Sequence, residues 1–410
     1  MSRMLTVFGL VEDGTFYGDR WQQLTFDKSL VNGHFYSDKA PLSSYLVLPF
    51  YWLYRQGHAD LPHSKTDTEA ANHLAILIAA ALPFAIFATL LWWRIARDRP
   101  GPSAVWYALV AAFGTSILNY GNAFFGHVLA GTFLLLSWVL SIDRNRYYLS
   151  AGLLAGCAVA TEYPTFIAVV FILLGIFRQP DRNHRIGAFL VGAIPPAILF
   201  FVHNHFITGH FYKLPYSYVV DFWKPMQTGF GLSLPHLNAF FGLSLSPYRG
   251  GLFYGPILIL LLILLIIDRK WLVLGLIAAY YVFVTSYYSW EGGWCSGPRH
   301  LTPVLMIALY EGVGAFARRN RFHALFLALG MIGVAINIST AATNALPSSH
   351  MFAPLFQAVL PDLFANRINP HNLLTELFGL KPIAYSLIIW AWLFAVVGSS
   401  FSLLAREARA

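Results

Sequence analysis

The sequence predicts an all-α polytopic membrane protein, a bundle of about 11 transmembrane helices, and three observations lead there. The chain of 410 residues is 57% hydrophobic. Only 11% of it is charged, against about 25% in soluble domains. Uncharged apolar runs recur, Gly251 to Ile267 among them, and a bilayer crossing takes about 17–25 such residues. A water-soluble α/β enzyme has no place to bury so many of these runs.

The candidate spans are Ala71–Ile95, Ala104–Leu118, Asn122–Ile142, Tyr148–Ala160, Pro164–Phe177, Ile186–Ile207, Gly251–Ile267, Trp271–Tyr287, Leu301–Ala317, Phe322–Ala342 and Ile383–Ala405. Pro195-Pro196 falls inside one of them and is expected to kink it. The formal charge of +8 would suggest nucleic acid only if the basic residues shared a soluble face. They stand at helix ends instead, which is a topology signal. Arg94, Arg97 and Arg99 fill one turn, Arg144 and Arg146 the next alternate one. Arg178, Arg182 and Arg185 follow, then Arg269 and Lys270, then Arg318, Arg319 and Arg321, then Arg406 and Arg409. Short connections on one side thus hold fifteen of the 27 Lys and Arg. That side is cytoplasmic by the positive-inside rule, which also puts the C-terminus in the cytoplasm.

The first span must then run inward, leaving residues 1–70 outside. Pro41 to Tyr54 is too short and too aromatic to span, and reads as a helix lying in the outer interface. The alternative is that it spans and residues 1–40 are cytoplasmic. Met1 to Leu10 is too short for a cleavable signal, so the parity leads us to expect a transmembrane helix encoded before Met1. The resulting segments are an outer loop at 1–70, helices at 71–207, an outer loop at 208–250, helices at 251–342, an outer loop at 343–382, and a last helix and tail at 383–410.

Chemistry is expected on the outer side, because the cytoplasmic turns are too short to hold a site. Asp38 and Lys39 stand just before the interfacial helix, and a lysine there is a point charge for a phosphate at headgroup depth. Read alone, the pair is equally an ordinary helix-start charge pattern. Ser246-Pro247-Tyr248-Arg249-Gly250 precedes one span. Trp290-Glu291-Gly292-Gly293-Trp294-Cys295-Ser296-Gly297-Pro298-Arg299-His300 precedes another. Each sets an arginine beside glycines, which permit close backbone approach, and aromatics, which stack on sugars or anchor at the interface. An aromatic belt with snorkelling arginines would explain either turn by itself. Glu162 and His127 lie at further outer turns, where ionisable groups are functional candidates, though a structural role suits a lone histidine as well. Glu311, near a cytoplasmic helix end, is expected to have a structural partner. Cys157 and Cys295 offer neither a disulfide framework nor metal-ligand spacing. Walker, HExxH and paired CxxC motifs do not occur.

In Tyr36-Ser37-Asp38-Lys39-Ala40-Pro41, Ser246-Pro247-Tyr248-Arg249-Gly250 and Gly292-Gly293-Trp294 through Gly297-Pro298-Arg299, the chain resembles the GT-C superfamily. It is similar to bacterial relatives of protein O-mannosyltransferases and lipid A aminoarabinose transferases. The resemblance implies a helical bundle with juxtamembrane helices in the first outer loop. It implies a polyprenyl-phosphate sugar donor, a lipid, glycan or protein acceptor, and inversion at the anomeric carbon. It implies Lys39, Arg249 and Arg299 as donor-phosphate contacts converging on one site. Arg3, His127, Glu162, Tyr248, Trp290, Trp294 and His300 become pocket candidates. The family's base usually precedes an arginine that matches Arg3, a place that falls before Met1 here. Within these residues the catalytic candidates are therefore Asp38 and Asp19. No cofactor is required by the resemblance, which leaves room for a divalent cation. A transporter or flippase of lipid-linked glycans, or a non-catalytic scaffold of the same fold, are the alternatives.

Overall fold

The computed structural model describes residues 1–57, 63–220 and 229–369, with isolated positions between 391 and 402. Apolar runs become helices here because an isolated segment can satisfy its own backbone only that way. Among the described residues five helices are long and apolar enough to cross a membrane: Lys65–Asp98, Gly126–Asp143, Arg182–Thr208, Arg299–Ala317 and Asn320–Thr343. Shorter apolar helices cover Pro102–Phe113, Tyr148–Thr161, Tyr163–Phe177, Ile257–Ile267 and Trp271–Thr285. The protein is thus a predominantly helical membrane protein. The span expected at Ile383–Ala405, and the end of the 343–382 loop, lie outside the described residues.

One expectation about helix continuity needs correction. Gly251–Ile267 is not one helix. Gly255 leaves helical geometry (φ −142°, ψ 69°) because it precedes Pro256, and a residue before proline is pushed out of the α region. The remaining Ile257–Ile267 has 11 residues, about 16 Å of helix. Pro195-Pro196, by contrast, does not end its helix: Arg182–Thr208 is assigned continuously through both prolines. One hairpin departs from the all-helical expectation. Ser29–Val31 pairs with His34–Tyr36 through Asn32 and Gly33, both at positive φ (50° and 87°), the geometry of a two-residue type I′ turn.

The chain divides into two compact units, residues 1–84 with 124–234, and residues 85–123 with 235–410. In the first, helix Ser2–Phe8 is wholly buried and packs Met4, Leu5, Val7 and Phe8 against Val47, Tyr51, Ala71, Ala75 and Leu129. Helix Leu42–Gln56 forms where the interfacial helix was expected. It turns Ser43, Val47, Tyr51 and Arg55 inward at four-residue spacing and leaves Phe50, Trp52 and Leu53 exposed. Helices Tyr148–Thr161 and Arg182–Thr208 meet backbone to backbone. A side chain at Gly152 would strike the Phe189 carbonyl, and one at Gly192 the Leu149 carbonyl.

The basic turns gather within each unit. In the first, Arg185 donates to Tyr148 (2.8 Å) and Gln179 (2.9 Å), tying together two of the turns assigned to one side. In the second, Arg318 bonds Asp268 (2.6 Å) and lies 3.5 Å from Asp98; Arg319 also pairs with Asp268. Glu311 has the expected structural partner, Lys270, at 2.9 Å. These short bridges place three sequence-distant turns at one helix end of that unit, as the charge alternation requires.

Candidate functional site

The first unit assembles a charged cluster at the opposite helix ends. Glu162 caps helix Tyr148–Thr161 in extended geometry (φ −146°, ψ 109°), with Pro164 two residues on, so its carboxylate leaves the helix axis. Its Oε1 receives Arg3 Nη2 at 2.6 Å and lies 3.5 Å from His127 Nδ1. Arg3 is aimed by a second bond, Nε to the Ser43 hydroxyl at 3.0 Å. Ser44 donates to the Arg3 carbonyl at 2.8 Å, so helix Leu42–Gln56 holds both ends of this arginine. His127 occupies the first turn of helix Gly126–Trp138.

Lys39 forms the second half of the cluster. Its ammonium lies 2.8 Å from Asp38 Oδ2 and 3.2 Å from Asp27 Oδ2, and 5.4 Å from the Tyr216 ring centre. Asp38 is fixed on its other oxygen by the Ser2 hydroxyl at 2.8 Å. Burial alone would lower the Lys39 pKa, but the carboxylates of Asp38 and Asp27 outweigh it and hold the ammonium well above its ordinary value. Burial pushes the Tyr216 phenol up to about 12, so it stays neutral beside the charges. Tyr163, which follows Glu162, packs against Tyr216 with ring centres 5.7 Å apart. The two tyrosines therefore bridge the Lys39 and Glu162 ends of one cluster.

Asp19 is engaged elsewhere in this unit. Its Oδ1 accepts the Phe35 N–H at 2.6 Å and its Oδ2 bonds His34 Nδ1 at 2.7 Å, which anchors the hairpin. A separate buried network joins Glu12 to Tyr51 (2.5 Å), Arg55 (2.9 Å) and His63 (3.2 Å).

The second unit orders the other two motifs around Arg249. This side chain is fully buried and donates to the carbonyls of Glu291 (2.9 Å), Tyr248 (3.0 Å) and Gly293 (2.7 Å). Gly292, Gly293 and Gly297 all take positive φ, and a side chain at Gly292 would press on Arg299 Cγ at 2.9 Å. Tyr120 donates to the Ser296 carbonyl at 2.5 Å, and Cys295 is buried beneath the turn. Tyr248 meets Trp290 edge-on at 6.1 Å and bonds the Ser349 carbonyl at 2.7 Å. His300 Nε2 faces the Ser289 carbonyl at 3.2 Å, while Trp294 is 64% exposed. Arg249 thus acts as the brace of the 290–299 turn, and Lys39 belongs to the other unit.

No family model, curated protein or solved structure matches the chain. The site is therefore read from its own chemistry. Among the described residues no group of three or more His, Cys, Asp or Glu is arranged to hold a metal ion; Asp27 and Asp38 converge on an ammonium instead. Asp27 and Tyr216 carried no sequence signal, since Phe26-Asp27-Lys28 and Pro215-Tyr216-Ser217 match no motif. The Arg3–Glu162 pair spans 159 residues and was visible only as two separate candidates.

Proposed function

We propose that this protein is a membrane glycosyltransferase of the GT-C type. It moves a sugar, with inversion, from a polyprenyl-phosphate donor to an acceptor hydroxyl on a lipid, glycan or protein. The reaction takes place on the extracytoplasmic face of the plasma (inner) membrane, with the C-terminus in the cytoplasm. The observation that carries this reading is the Lys39–Asp27–Asp38 cluster beside Arg3–Glu162–His127, set next to a helix whose exposed face is Phe50, Trp52 and Leu53. Such a face suits the headgroup–acyl boundary, where a lipid-linked phosphate resides. An ammonium has three donors, so Lys39 retains capacity for a phosphate oxygen beyond its two carboxylates, and the leaving phosphate is stabilised where its charge develops. Asp38 has both oxygens occupied and is 2% exposed, whereas Asp27 is 33% exposed. Asp38 therefore positions Lys39, and Asp27 is the better placed base for an incoming hydroxyl.

The test is transfer by the purified protein in lipid nanodiscs from polyprenyl-phosphate glucose, mannose or arabinose to membrane lipid, glycan and protein extracts, followed by mass spectrometry. Transfer that is lost in Lys39→Met and in Asp27→Asn supports the reading. A folded protein that transfers none of these sugars sinks it. Sidedness is read by single-cysteine labelling at exposed Arg20 and Arg321 with an impermeant reagent. Arg20 should label in intact cells and Arg321 only after permeabilisation.

A further inference from the structure

Three buried polar groups beside this cluster have no hydrogen-bond partner among the described residues. Asn204 is 0% exposed, and neither Oδ1 nor Nδ2 of its side chain is hydrogen-bonded. Its neighbour His203 is 2% exposed; Nδ1 bonds the Tyr45 hydroxyl at 2.9 Å, but Nε2 has no partner. The hydroxyl of Tyr163 is buried and unpartnered as well. Ring packing links Tyr163 to the helix that carries His203 and Asn204. Phe200, one helical turn before Asn204 and on the same face, packs against Tyr163 with ring centres 5.6 Å apart. Tyr163 in turn meets Tyr216, over which Lys39 sits.

Leaving such groups unpaired inside a protein is costly, and each one calls for an occupant. The type of group restricts the ligand. An amide pairs one donor set with one acceptor. A phosphate, which only accepts, would leave Oδ1 unmatched. An ammonium, which only donates, would leave Nδ2 unmatched. A hydroxyl does both. We propose that Asn204, with His203 Nε2 and Tyr163 Oη, forms a subsite that reads the hydroxyls of the donor sugar and so determines which sugar is accepted. The inference rests on the glycosyltransferase reading above and adds its specificity residues. A site built to bond a hydroxyl rejects an analogue lacking it, because the site's own groups are then left unpaired.

The test compares equilibrium binding of bare polyprenyl phosphate with binding of polyprenyl-phosphate glucose, mannose and arabinose to the full chain in nanodiscs. The wild type should bind at least one sugar-bearing lipid more tightly than the bare one. Asn204→Leu should reduce that preference about tenfold, and Tyr163→Phe severalfold, with bare-lipid affinity unchanged. If Asn204→Leu does not fold, Tyr163→Phe decides alone, since it removes a single oxygen. An unaltered preference in the variants overturns the subsite and leaves the donor reading standing; equal wild-type affinity for bare and sugar-bearing lipids does the same. Binding of no polyprenyl phosphate at all removes the donor reading and this inference with it.

Discussion

Gly126 stands so close to Glu162 that a methyl group in place of its hydrogen would lie 2.5 Å from the carboxylate Oε1. The same methyl would lie 2.8 Å from Arg3 Nη2. The first helical residue of Gly126–Trp138 is thus a glycine because the Arg3–Glu162 pair occupies the space a side chain would need.

Gly126→Ala is therefore expected to push the pair apart. Overpacking of this kind costs about 1–3 kcal/mol. Thermal unfolding in detergent should show the loss of stability, and sugar transfer should fall with it. An unchanged melting temperature with full transfer would mean the pair can relocate freely.

Breaking the pair from one side should cost more than removing it. Arg3 and Glu162 side chains are 7% and 15% exposed, and an uncompensated buried charge costs about 3–5 kcal/mol. Arg3→Met and Glu162→Gln should each destabilise strongly, and the double variant should recover part of the loss. Additive effects in that cycle would show that the two charges do not sense each other.

Acid stability should report on Glu12. Burial would raise its carboxyl, but hydrogen bonds from Tyr51 and His63 and the charge of Arg55 prevail and hold it below its ordinary 4.5. A lowered folded-state pKa contributes stability that is complete above the unfolded value and is lost as pH falls through the folded one. The stability gap between wild type and Glu12→Gln should be flat above about pH 4.5 and should close below it. A gap that stays constant down to the acid transition would contradict the network.

Arg249→Lys should behave as a structural lesion. A lysine cannot reproduce a planar fork engaging three carbonyls, and the 290–299 turn should loosen. Lower thermal stability and faster amide exchange across residues 291–297 are the expected results. A stable variant with weakened binding of polyprenyl phosphate alone would show that Arg249 serves the phosphate and not the turn.

Helix positions and the gathering of basic turns were legible because both follow from solvent partition: apolar runs must be helical in lipid, and Lys and Arg stay at the ends. The hairpin is signalled by Asn32-Gly33 between Val31 and His34, a strong turn signal, but its strands of three residues each are too short to display an alternating pattern. The break at Gly255 was written in Gly255-Pro256 and obscured by hydropathy. Arg249 could not be resolved from sequence, because its partners are backbone carbonyls, which no residue type announces. Lys39 and Asp38 were found as neighbours in sequence; Asp27, Tyr216 and Asn204 were not, because only the folded chain brings them near.

The glycine contact between helices Tyr148–Thr161 and Arg182–Thr208 bears on where selectivity can be altered. At Gly152 and Gly192 nothing separates the two backbones, so the helices have no room to slide or separate independently. Tyr163 leaves the end of one and Asn204 sits near the end of the other. A single methyl at Gly152 would act as a wedge at a fulcrum, translating a change near one helix end into a different span between those two side chains. Under the proposed subsite, substrate range would then drift through substitutions that never touch the sugar.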